Sequence, residues 1–138
     1  SRARVSPLVN IGVCDIDPVV AGLIAHYLSV ALDVLVRTEG IEASVGVLEP
    51  FTLTDPSQIH AVGEAPLFEV IDVDADLVAI VSLNGFGSAQ VERRFAEDGV
   101  ANVCLAEFMV GGRGDDSVTI ADACINLARD LARRFASS

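Results

Sequence analysis

Two aspartates spaced i, i+2 at the end of an apolar run, Asp15 and Asp17 in "VCDIDP", are the first residues able to do chemistry. Carboxylates paired in this way could hold Mg²⁺, serve as acid and base, or anchor a ligand. Asp17 also has a structural use: an acid directly before Pro18 is the signature of a helix N-cap with proline at the first helical position. Asp15 has no such simple duty and is the better functional candidate. Two later loops add to the set. "SLNGFGS" supplies Ser82, Asn84, Gly85 and Gly87, and "GGRGDD" supplies Gly111, Gly112, Arg113, Gly114 and Asp115. The glycines would let a ligand approach the backbone, with amide N–H groups available to an anion or a nucleotide-like tail. Arg113 could meet a phosphate or a carboxylate. Each has a plainer reading: turn glycines after buried strands, a solvated loop arginine, and a helix cap for Asp115 or Asp116.

Other chemistries have little support. Ser82 is a hydroxyl donor, but no histidine lies near it in sequence to activate it as a triad would. The two histidines are His26, within the first helix pattern, and His60, in a stretch that could swing over the other loops. No CxxC or HxxxH spacing marks a structural zinc site. The three cysteines, Cys14, Cys104 and Cys124, are odd in number, far apart and set in apolar sequence, as expected of reduced core thiols. All nine basic residues are arginine, which removes Schiff-base chemistry and the lysine of a P-loop.

The chain has 138 residues, enough for one domain (1–138) with a real core. Its net charge is −11, so nucleic acid and anionic membrane surfaces are repelled. No apolar run is read as reaching the roughly 18 residues of a membrane span, and the opening residues lack the layout of a signal peptide. With the reduced cysteines, this points to a cytoplasmic setting. Half of the chain is hydrophobic (51%), which is rich for a small monomer. A homo-oligomer or a larger partner subunit is therefore expected to cover some apolar surface.

The chemistry needs elements to position it. "PLVNIGVCD" (7–15) reads as a fully buried strand. A helix follows from Pro18, with Val20, Leu23, Ile24, Tyr27, Leu28, Ala31 and Leu35 at helical spacing and Gly40 at its end. Val19, Val30 and Val34 fall outside that stripe, so the helix presents apolar surface on more than one side. "IEASVGVLEPF" (41–51) is a second strand, residues 56–62 a short helix, "LFEVIDV" a strand or helical turn, and "DLVAIVSL" (76–83) a buried strand. "AQVERRFAEDG" is an amphipathic helix ending at Gly99. "VANVCLAEFMV" (100–110) is a strand with Glu107 out of place in it, and residues 117–135 form the last helix. Alternating strands and helices predict a flavodoxin-like, Rossmann-like three-layer α/β sandwich: a mostly parallel sheet of four or five strands with helices on both faces. Ligands bind such sheets beyond the carboxyl ends of the strands. All three chemical loops leave those ends, so they should meet on one rim.

The pattern "DIDPVV", then "SLNG", then "VGG" resembles the cobalamin-binding domain of B12-dependent mutases and methyltransferases, over roughly residues 8–112. Asp15 matches the acid of its first turn, Leu83 the third position of its second, and Gly111–Gly112 its glycine pair. Asp17 stands where the family has its cobalt-ligating histidine, Val20 where it has a glycine, and Val81 where it has a serine, with Ser82 adjacent. The resemblance implies cobalamin as the cofactor, held without that ligand. "CDIDPVV" also resembles the start of response-regulator receiver domains, with Ser82 in the place of the phosphorylated aspartate and no lysine to complete the site. That resemblance implies a degenerate receiver-like regulatory or assembly domain without catalysis. A third, to phosphohydrolases with an Asp-x-Asp-x-Val pattern, implies a small phosphate-ester enzyme using Asp15 and Asp17. The leading expectation is a domain that holds a phosphate-bearing or cobalamin-like small molecule on the rim.

Overall fold

The computed structural model describes residues 7–48, 75–85, 89–97, 99–109 and 117–136. Its strands are β1 (Leu8–Val13), β2 (Glu42–Val47), β3 (Leu77–Ser82) and β4 (Ala101–Cys104). They form one parallel sheet in the order β2-β1-β3-β4. The helices are α1 (Pro18–Glu39), α2 (Ala89–Glu97) and α3 (Ser117–Ala136). The expected flavodoxin-like α/β fold is therefore present, with four strands among the described residues. The short helix at 56–62, the "LFEVIDV" segment and His60 lie outside them.

Local chemistry accounts for the boundaries. Asp17 caps α1, its side chain accepting a hydrogen bond from the Val19 N–H at 2.9 Å, and Pro18 follows where its missing N–H costs nothing. Gly40 closes the helix in the left-handed region, φ 69°, a conformation in which a Cβ would be strained. β1 reads "LVNIGV" and is buried over its last five residues, as a central parallel strand must be. β2 lies at the edge of the described strands, and its residues alternate between exposed and half-buried over most of its length.

Alternate residues of each strand point to opposite faces of the sheet. Val9, Ile11 and Val13 pair in register with Leu77, Ala79 and Val81, and all six pack in the main core with α1 and α3. Ala21, Ile24, Leu28 and Leu32 from α1 meet Ile120, Cys124, Leu127 and Leu131 from α3 in the same core. The other face carries Asn10, Gly12, Ile80 and Asn102. Ile80, Phe95, Val100 and Leu48 are buried but stand outside the main core cluster. β1-α1-β2 and β3-α2-β4 step in opposite directions along the sheet. The right-handedness of such crossovers is the rule that puts α2 on the face opposite α1.

Two boundaries differ from expectation. The strand read over 100–110 stops at Cys104, and Leu105–Phe108 turn into a short 3-10 helix. Glu107 is exposed there, which removes the oddity of a charge in a strand, while Leu105 is fully buried. An apolar run of this length fits a strand or a tight helical turn equally, and the tertiary contacts decide. The second strand, read over 41–51, spans Glu42–Val47, with Leu48 continuing the ladder by donating to the Val13 carbonyl, and 49–51 lie outside the described residues. In addition, Pro18–Leu35 within α1 is long and apolar enough to cross a membrane by length and composition, although His26, Ser29 and Asp33 interrupt it. Here its inner stripe packs in the protein core.

Candidate functional site

The carboxyl ends of β1, β3 and β4 meet through a chain of backbone contacts. The Cys14 N–H donates to the Val81 carbonyl at 2.9 Å, and the Ala106 N–H to the Leu83 carbonyl at 2.9 Å. The Cys104 thiol also reaches the Leu83 carbonyl, at 3.6 Å. Asp15 crosses this rim. One of its oxygens accepts the Asp17 N–H at 3.0 Å, and the other takes a longer contact, 3.4 Å, from the Leu83 N–H. Asp15 thus has the structural duty that its sequence context did not show: it ties the β1 turn to the end of β3. Both opening aspartates carry backbone bonds, Asp17 as helix cap and Asp15 as clamp.

The remaining candidates divide cleanly. Asp15, Asp17, Ser82, Asn84 and Gly85 share one rim, with Asn84 exposed and Gly85 half-buried. Gly85 has φ 75°, in the left-handed region, so this turn favours glycine, and the Cys104 side chain lies beside it. Gly87, Gly111, Gly112, Arg113 and Asp115 lie outside the described residues. His26 is exposed on α1, edge-on to Tyr27 with ring centroids 5.2 Å apart.

Behind the rim, on the face opposite α1, the side chains become small and polar. Ser82 is in register with Cys104, and the Cys14–Val81 bond sets Cys14 on the other side of Ser82. The next row down holds Gly12, Ile80 and Asn102. Ser82 is 4% exposed, and among the described residues its Oγ has no hydrogen-bond partner; neither does the buried Oδ1 of Asn102. Sequence reasoning passed over Cys14 and Asn102. The signal available for Asn102 was a lone amide inside the apolar run "VANVC", on a strand whose neighbours are hydrophobic.

The chemistry of this corner favours binding groups over a thiolate. Burial first, then the charge of Asp15, pushes the Cys14 thiol up to about 12, so it stays protonated and weakly nucleophilic at neutral pH. Among the described residues no three His, Cys, Asp or Glu side chains cluster to hold a metal ion. A Mg²⁺ at Asp15 would draw its remaining ligands from water and from a bound phosphate, the usual habit of that ion.

A second feature lies away from the rim. A groove of about 340 Å³ runs between α1 and α3, lined by Tyr27, Ala31, Val34, Ala121, Ile125 and Arg129 among others. Searches of protein-family models, of curated proteins and of solved structures find nothing that matches this chain.

Proposed function

We propose that this domain binds a small molecule at the carboxyl rim of its sheet, on the α2 side, and that the ligand is phosphate-bearing or cobalamin-like. The observation that carries the reading is a pair of buried atoms without a partner among the described residues, Ser82 Oγ and Asn102 Oδ1, beside the small side chains of Cys14, Gly12 and Cys104. A buried polar group without a partner costs about 1–3 kcal/mol, and such groups are few in folded proteins. A ligand that offers an acceptor to the Ser82 hydroxyl and a donor to Asn102 offsets that cost. A phosphate ester with free hydroxyls and an amide-fringed corrin both carry the two kinds of group. The turn at Gly85 adds close backbone access.

The reading is of binding without turnover. The backbone bonds that Asp15 accepts from Asp17 and Leu83 give it a part in building the rim, and the phosphate-ester-enzyme reading has no metal-holding group of side chains beside it among the described residues. The regulatory or assembly reading draws its support from a different surface, the apolar groove between α1 and α3.

Two probes test the proposal. Hydroxocobalamin and adenosine monophosphate are each mixed with the protein, then followed by visible absorption and gel filtration for the first and by calorimetry for the second. One of them should be retained with a dissociation constant of about 100 µM or tighter, and Ser82→Ala should weaken it about tenfold. If neither probe binds at about 1 mM, or if Ser82→Ala binds as the wild type does, the proposal fails.

A further inference from the structure

Val30 and Val34 of α1 and Ile125 of α3 are 53%, 50% and 41% exposed, side by side along the groove. Its floor is built from small side chains, Ala31, Ala121 and Ala128. Branched knobs and alanine holes therefore occur on the same surface, which is what a self-complementary contact requires. Charge along α3 follows the same logic. Asp122, Ile125 and Arg129 are spaced i, i+3 and i+7, so they share one exposed stripe. Ile125 sits about 4.5 Å along the axis from Asp122 and about 6 Å from Arg129. Neither charged residue has an ion-pair partner among the described residues, and at two turns apart they do not reach each other.

We propose that this face joins two copies of the chain about a two-fold axis beside Ile125. Antiparallel packing of α3 on its copy brings Ile125 against the partner's Ile125. Asp122 then meets the partner's Arg129, and Arg129 meets the partner's Asp122. Two identical pairs flank an apolar centre, and Val30 and Val34 enter the alanine floor of the facing groove. This local complementarity matters in a chain with a net charge of −11, whose copies otherwise repel each other. The inference concerns assembly and stands apart from the rim ligand.

The test is sedimentation of the full chain over about 1–100 µM, with far-UV circular dichroism to verify folding. The wild type should sediment as a dimer, and Ile125→Glu, at an exposed position, as a folded monomer. Arg129→Asp should raise the dimer dissociation constant about tenfold or more by setting like charges face to face. The double variant Asp122→Arg/Arg129→Asp should return to within about threefold of the wild type. A wild type that stays monomeric overturns the proposal, as does one that pellets with neutral lipid vesicles without associating with itself. So does a dimer indifferent to Ile125→Glu, or a double variant no tighter than Arg129→Asp alone.

Discussion

Toward α1 and α3 the sheet presents Val9, Ile11, Val13, Ala79 and Val81, all within 1% of full burial. On the opposite face β1, β3 and β4 present Asn10, Gly12, Ile80, Ser82 and Asn102, and Cys14 continues the set. The first face uses its side chains for burial alone, with two long helices covering it. The second carries amide, hydroxyl and thiol groups where apolar residues would pack as well, and two of its polar atoms have no partner among the described residues. One face holds the fold together. The other tolerates a local cost, and that kind of cost concentrates where a protein does something besides fold.

The contrast can be broken most forcefully on the first face. Leu28 is fully buried between sheet and helices, so Leu28→Ala should cost about 2–5 kcal/mol in a chemical denaturation series. A loss below about 1 kcal/mol would show that the α1–α3 face is not the main source of stability.

Alkaline pH gives the next largest effect. Burial pushes the Cys14 and Cys124 thiols from 9.0 up to about 12. The unfolded chain therefore loses these protons before the folded one does, and stability falls as pH rises from about 9 toward 12. The slope should be roughly 1.4 kcal/mol per pH unit for each thiol, with no change from these groups below that window. Cys14→Ala should halve the slope in denaturation midpoints taken between pH 8.5 and 10.5. An unchanged slope would mean that the thiol is not held protonated by the fold.

Asp15→Ala sharpens the boundary between scaffold and site. Removing the clamp leaves the Asp17 and Leu83 N–H groups without their acceptor and should cost about 1–2 kcal/mol. Asp17→Ala, which removes only the cap bond to Val19, should cost about 1 kcal/mol. If Asp15→Ala is neutral while Asp17→Ala is not, the β1–β3 clamp contributes nothing and Asp15 is free for a ligand.

Much of this architecture was legible before any coordinates. β1 and β3 announce themselves as β-branched runs, and α1 by Asp17, Pro18 and Gly40 at its ends. The boundary at Cys104 was not legible, because "VCLAEFMV" is apolar in either conformation and only Glu107 hinted at a turn. Asp17 could be read as a cap, since its partner is two residues away. Asp15 could not, because its second contact is with Leu83, 68 residues along the chain. The same distance hides the polar row of Ser82 and Asn102, which exists only once β3 and β4 are aligned. The groove was half legible: Val30 and Val34 stood outside the inner stripe of α1, but their neighbour Ile125 comes from another helix.

The sharpest single measurement is the stability of ligand-free Ser82→Ala against the wild type, by chemical denaturation at neutral pH. A hydroxyl that bonds to nothing among the described residues is not missed when it is removed. The variant should therefore be as stable as the wild type, or more stable by up to about 1 kcal/mol. A loss of more than about 1 kcal/mol would show that Ser82 serves the fold after all, and the face behind the rim would then have no group held in reserve for a ligand.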